Sequence, residues 1–262
     1  RTPTLAYLHL FTSTGTLTPG RLNKVYSFLD WDGWSGERVV LRPDGTIPAA
    51  RLYIDSMEDK ALAKFFYVTN IFIFEETGEQ KREKWQCGAE LIGAGSPLAD
   101  VELIMLASEV LSRLGVKDVK LKLSHTGLIR AMLKKLDIPS VERDKLFERI
   151  LEGDREALSG LKTMTPELGK ALPLLLDLRG QSSGFLKNLK ALLVRELPEL
   201  EPELMDFIAI VDLLDALNQR YQIDITSANG FEYYTGVNFQ LLVGEDEVGG
   251  GGRYDALIPL MG

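Results

Sequence analysis

Four clusters of residues in this 262-residue chain carry groups that could bind a small polar ligand. Leu41-Arg42-Pro43-Asp44-Gly45-Thr46 gathers a guanidinium, a carboxylate and a hydroxyl around a tight turn. Gln86 and Glu90 stand four apart in a run that reads as a strand, and an even spacing points both to one face. Tyr233-Tyr234-Thr235-Gly236 sets a pair of phenols at the mouth of another strand. The run Gly249-Gly250-Gly251-Gly252, ahead of Arg253-Tyr254-Asp255, lets backbone come close to another segment or to a ligand. Together these offer acceptors for an ammonium group and hydroxyls for a polar ring, which is what an amino-acid site needs.

Taken singly, each cluster also has a structural account. Asp44-Gly45 is a common turn. Gln86 and Glu90 could line a solvated face, and the tyrosine pair could be a core aromatic beside an edge residue. The glycine run lacks the Lys-Ser/Thr ending of a phosphate loop. Cys87 follows Gln86, so it faces the other side of the strand and is expected to pack rather than react. His125, in Ser124-His125-Thr126-Gly127, is expected to be a structural or capping residue rather than a base.

The elements that must position these groups follow from periodicity. Arg38-Val39-Val40-Leu41-Arg42 is an extended run closed by a turn signature. Phe65-Phe66-Tyr67-Val68 and Ile71-Phe72-Ile73-Phe74 are aromatic and β-branched. They break at the charged stretch from Glu75 to Lys84 and resume from Trp85 to Ile92, which predicts a long hairpin with a polar tip. From Asp100 the period turns helical: Val101, Ile104, Leu111 and Leu114 recur at that spacing, Asp100 can cap the start, and Gly115 can end the helix. Val119 to Leu123 reads as a strand. A helical block from Gly127 to Arg220 follows, and strands return at Gln222 to Thr226 and Tyr233 to Val243. The fold class expected is α+β, an antiparallel sheet flanked by helices. One discontinuous core, 1–126 and 207–262, is expected around a helical insertion at 127–206.

Composition narrows the classes of function. A hydrophobic content of 45% with 26% charged residues is that of a globular protein, and no apolar run is long enough to span a bilayer. The chain opens at Arg1 without a visible secretory signal, and its one cysteine fits a reducing compartment, so a cytoplasmic location is expected. Two histidines far apart and a single cysteine make no zinc set. A net charge of -8 leans against tRNA, because phosphate binding rests on clustered Lys and Arg.

In this order the clusters resemble the catalytic core of the class II aminoacyl-tRNA synthetases, in the histidyl branch. Leu41 to Thr46, with Ala50-Arg51, is similar to the segment that grips the amino group of histidine. Arg82 to Gly93 resembles the end of the second class II motif, and Asp100-Val101-Glu102 the acidic start of the following helix. Glu232-Tyr233-Tyr234-Thr235-Gly236 and Gly250 to Asp255 resemble the two histidine-specific signatures, and Arg1-Thr2-Pro3 the proline end of the first motif. The resemblance implies that Asp44, Thr46 and Gln86 hold the ammonium of bound histidine. It implies that Glu90 and Tyr234 read the imidazole, with Tyr233 and Tyr254 closing the pocket. Asp44 stands where the synthetases usually carry the longer glutamate.

Two departures bear on activity. The arginine that holds the carboxylate and assists adenylation is matched by Asn229, and the arginine that clamps the α-phosphate of ATP is matched by Ile73. Glu75 and Arg82 are what remains of the ATP site. Asn supplies neither the charge nor the fork of a guanidinium, and losing a donor aimed at developing charge costs about 3 kcal/mol. The pattern is similar to the regulatory subunits of short-form ATP phosphoribosyltransferase, in histidine biosynthesis. That resemblance implies no catalytic residues and no cofactor, a histidine-like ligand, the phosphoribosyltransferase catalytic subunit as partner, and a homodimer. The rival is a divergent histidine-tRNA ligase, which would need ATP and Mg. A paralogue using the pocket for another amino acid is a third reading.

Overall fold

Residues 2–14, 22–31, 36–56, 62–74, 82–151, 154, 157, 179–195, 197–225 and 233–261 are described by the computed structural model. They divide into two compact units. The first is Arg1–Gly95 with Phe231–Tyr233 and Asp255–Gly262, and the second is Ser96–Gly230 with Tyr234–Tyr254.

The first unit begins with β1 (Leu5–Tyr7) and α1 (Leu8–Thr12), followed by β2 (Ser27–Trp31) and β3 (Gly36–Leu41) in a three-stranded antiparallel sheet of order β1-β3-β2. The chain then turns through Pro43-Asp44-Gly45 into α2 (Thr46–Ser56) and runs on as the hairpin β4 (Ala63–Phe72) and β5 (Glu83–Ile92). That hairpin is the one the aromatic runs predict; its tip, with Glu75, lies outside the described residues. Two backbone bonds tie it to the segments that flank the first sheet. Phe72 N–H donates to the Arg42 carbonyl at 3.0 Å, and Phe74 N–H to that of Lys24 at 2.8 Å. Arg42 strengthens the junction: its Nε donates to Asn70 O at 2.7 Å and its Nη1 to Thr2 O and Pro3 O at 3.1 Å. A guanidinium so spent on backbone carbonyls fixes the strand that leads into the turn.

The second unit opens with α3 (Pro97–Arg113), which starts three residues before the expected Asp100. Asp100 lies in its first turn, and the capping position is Ser96. Gly115 ends the helix as expected, at φ +78°, with its N–H on Ser112 O and that of Val116 on Leu111 O. Next come β6 (Val119–His125), α4 (Thr126–Leu133), α5 (Ser140–Leu151), the two-residue β7 (Arg179–Gly180), α6 (Ser183–Leu193) and α7 (Glu201–Ala216). The unit ends with β8 (Gln222–Asp224), β9 (Val237–Val243) and β10 (Asp246–Gly252). The sheet order is β10-β9-β6-β8-β7. One pair departs from the antiparallel expectation: β6 and β8 run parallel. The helices between them supply the long crossover that a parallel pair requires. Leu128, Ile129 and Met132 of α4, Leu186 of α6 and Leu204, Phe207 and Val211 of α7 join Leu123, Ile223 and Leu241 of the strands in one core.

The glycine run is not a loop. Gly249 to Gly252 form the end of β10, paired with Leu241 to Asn238 of β9. Glycine is a poor strand former, so packing must favour it here. At Gly252 a Cβ would stand 2.8 Å from Asn238 Cβ, 2.9 Å from the Val237 carbonyl oxygen and 3.0 Å from the Tyr234 ring. Gly252→Ala is therefore expected to lower stability in urea unfolding by about 1–3 kcal/mol. Gly95→Ala, with nothing within 4 Å of the added carbon, should change it by less than about 0.5 kcal/mol.

Candidate functional site

Direct cross-strand partners of an antiparallel pair share a face, so register decides what the hairpin presents. Phe65 pairs with Glu90, Tyr67 with Gly88 and Thr69 with Gln86. Gln86 and Glu90 therefore lie on one face, as their spacing predicts, and Tyr67 stands between them. Tyr67 is a residue the sequence reading passed over as one more apolar strand position. Its ring rests against Gly45 and Gly88, where an added Cβ at either would overlap the ring. The only signal was the pair of glycines, and it becomes legible once the register is known.

The Tyr67 hydroxyl donates to Glu90 Oε1 at 3.2 Å and lies 3.4 Å from Thr46 Oγ1. Burial, and then the charge on Glu90, raise the phenol above its ordinary range, so it stays a donor. At the other end, Gly45 N–H donates to Gln86 Oε1 at 2.7 Å, and Ile47 N–H to Asp44 Oδ1 at 3.1 Å. Asp44 thus caps the first turn of α2 with one oxygen. Its other oxygen, Oδ2, is buried and has no hydrogen-bond partner. Burial is the larger effect and pushes the carboxyl up to about 6 against the Ile47 and Thr46 backbone bonds. The unit therefore brings together Asp44, Thr46, Tyr67, Gln86 and Glu90, with a single buried oxygen left to satisfy. An ammonium donor would satisfy it.

The remaining candidates are placed as follows. Tyr233 belongs to this first unit and is buried, whereas Tyr234 and Tyr254 belong to the second. Ile73 follows β4, with its N–H on Arg82 O at 3.0 Å. Arg82 holds its guanidinium 5.2 Å from the centroid of the Phe74 ring, a cation–π contact. Asn229 and Glu75 lie outside the described residues. Cys87 does face away from Gln86, but it is exposed and does not pack, because the outer face of the hairpin is open: Phe66 is 86% and Trp85 73% exposed. His125 is wholly buried and occupies the N-cap position of α4 without a side-chain cap bond, in keeping with a structural residue. Of the two uses expected of the glycine run, close approach to another segment or to a ligand, the structure shows the first, with β9 as that segment. Among the described residues no group of His, Cys, Asp and Glu could hold a metal ion, and no helix is long and apolar enough to cross a membrane.

The turn into α2, the long second-motif hairpin and the sheet that carries the paired signatures define a class II aminoacyl-tRNA synthetase fold. Within that class, the chain matches the histidyl-tRNA synthetase family over residues 2–262 and belongs to it. It is 57–59% identical, over all 262 residues, to proteins named ATP phosphoribosyltransferase regulatory subunit from three strains of Dehalococcoides mccartyi, and spans 64% of their length. It is 35% identical to the histidine–tRNA ligase of Methanosarcina acetivorans, over the whole chain and 62% of that protein. A crystal structure described as an ATP phosphoribosyltransferase regulatory subunit/histidyl-tRNA synthetase from Bacillus halodurans superposes with a TM-score of 0.83 at 28% identity. The match covers 100% of this chain and 68% of that one.

The raised Asp44 carboxyl gives a pH signature with a definite sign. A group that holds its proton more tightly when folded stabilises most below its unfolded value, 3.8, and that contribution is lost as pH rises through about 6. Asp44→Asn keeps a capping acceptor and removes the titration. Between pH 4 and 7 the wild type should lose roughly 2–3 kcal/mol relative to the variant in urea unfolding. A difference that stays constant across that range would show that Asp44 does not titrate there.

Proposed function

We propose that the chain is the amino-acid-sensing part of an ATP phosphoribosyltransferase regulatory subunit, which binds histidine and does not activate it. The observation that carries this reading is the gap in identity: 57–59% to proteins with that name against 35% to a histidine–tRNA ligase, each over the whole chain. The arrangement in the first unit supports a ligand with an ammonium end and an N–H-bearing ring. Asp44 Oδ2 seeks a donor, and Glu90 is an acceptor already oriented by Tyr67. Tyr233, Tyr234 and Tyr254 are the further residues that the family resemblance assigns to histidine.

Ile73 and Asn229, at the positions matched to the synthetase arginines, support the absence of catalysis, since neither can neutralise a phosphate or a carboxylate. In this reading no cofactor is needed; ATP and Mg belong to the ligase alternative. The partner is the phosphoribosyltransferase catalytic subunit, in the cytoplasm, and tRNA is not a ligand. We also propose a homodimer. Phe28, Leu29 and Trp31 of β2 and Phe66, Val68 and Trp85 of the hairpin are exposed apolar side chains, and a second copy would remove such surface from water.

The test uses the complete protein. Calorimetry should show histidine binding that Glu90→Ala weakens by about 10- to 100-fold, the range for a charge-assisted hydrogen bond. Histidine-dependent ATP–pyrophosphate exchange should be absent. With the catalytic subunit added, histidine should lower phosphoribosyl transfer only when both subunits are present. Vigorous exchange would establish the ligase reading instead, and unchanged affinity in the Glu90 variant would make the pocket a relic of ancestry.

A further inference from the structure

Ser124-His125-Thr126 spans the junction of β6 and α4, and its outer two residues bond to Ile225 before the first signature and to Gly236 and Asn238 at its far end. Ser124 Oγ donates to Ile225 O at 2.8 Å. Thr126 N–H donates to Gly236 O at 2.9 Å, and Thr126 Oγ1 accepts from Asn238 Nδ2 at 2.7 Å. Between them His125 is fully buried, tilted on Phe207 with ring centroids 5.4 Å apart. Its Nε2 meets Asp206 Oδ2 at 3.4 Å, and its Nδ1 lies 3.7 Å from Glu203 Oε2; both carboxylates come from α7.

From Asp206 the contacts continue to the other signature. Asp206 Oδ1 lies 3.9 Å from Arg253 Nη2, and Arg253 also forms a two-point ion pair with Asp100 of α3. The aliphatic stem of Arg253 packs on Gly236, where a Cβ would stand 3.0 Å from Arg253 Cδ. Its backbone completes the lock: Thr235 N–H donates to Arg253 O at 2.8 Å, and Arg253 N–H to Val237 O at 2.9 Å. Arg253 therefore binds the segment after Tyr234 to the segment before Tyr254. Asp100 holds the guanidinium through two bonds, and the Asp206 carboxylate, from another helix, adds a longer ionic contact to the same Nη2. His125 Nε2 lies within hydrogen-bond distance of Asp206 Oδ2 and so can orient that carboxylate beside Arg253.

We propose that His125 is a positioning residue, acting through Asp206 on Arg253 to hold the Tyr234–Gly236 and Arg253–Tyr254 segments in register. The hydrogen bond from His125 keeps Asp206 below the usual carboxylate range against the opposing effect of burial, with Arg253 adding to it. Of the described groups, Glu203, Asp206, Arg253 and Asp100 carry the charges of this network.

Amide hydrogen exchange of the unliganded protein by NMR tests the inference without assuming any ligand. Glutamine reproduces the reach of an imidazole Nε2 and asparagine that of Nδ1. His125→Gln should therefore leave the Thr235 and Arg253 amides near wild-type protection, while His125→Asn should speed both by tenfold or more. Amides of the β6–β9 ladder, such as Leu241, should be unchanged. Should the buried asparagine prevent folding, Asp206→Ala, at a side chain 27% exposed, must give the same selective loosening. Equal protection in the folded variants, or loosening of the whole sheet alike, would overturn the proposal. Selective loosening with no histidine binding by the wild type would leave this inference standing and remove the ligand reading.

Discussion

The first unit turns on one contact, the Tyr67 ring laid against Gly45 and Gly88. Gly45 belongs to the turn into α2 and Gly88 to the centre of β5, so a single aromatic side chain sets the distance between helix and hairpin. Any side chain at either glycine would drive them apart. With that spacing fixed, the polar bonds follow. Gly45 N–H can reach Gln86, the Tyr67 hydroxyl can reach both Thr46 and Glu90, and Asp44 is left beneath the turn, away from water. Packing thus comes first, and it determines which polar groups meet.

The polar groups divide by what they have left to offer. Oδ1 of Asp44, Oε1 of Gln86 and the Tyr67 hydroxyl are engaged within the protein. Asp44 Oδ2 is not, and burial of an unpaired carboxylate oxygen costs free energy that only a donor or a proton can offset. An aspartate at this turn therefore both caps α2 and keeps one buried oxygen unsatisfied. The helix first turn and the carboxylate are joined, so the group that caps α2 also presents the acceptor. A donor or proton that satisfies Asp44 would also change the electrostatics at a helix end.

What was legible in the sequence had short-range causes. The hairpin came from runs of β-branched and aromatic residues, and the shared face of Gln86 and Glu90 from a spacing of four in a strand. The end of α3 came from Gly115 at a positive φ. What was illegible had partners far along the chain. Tyr67 looks like its neighbours until β4 is placed opposite β5. Asp100 looks like a helix cap until Arg253 is brought to it, 153 residues away in sequence. The parallel β6–β8 pair was hidden for the same reason, because helices separate its two strands.

The glycine run shows how tertiary packing can place residues of low strand preference in a strand. Four successive glycines carry little intrinsic preference for a strand. In β10 their value is the absence of side chains. Gly250 and Gly252 lie against the carbonyls of Phe239 and Val237, and Gly251 against the Phe239 ring, at distances that leave no room for a Cβ. Close approach of β10 to β9 in turn brings Arg253 to Gly236 and Asp100, and so fixes where Tyr254 begins. The signature is therefore two devices in sequence, a strand thinned to glycine and the arginine that locks its end. Its tyrosine owes its position to both.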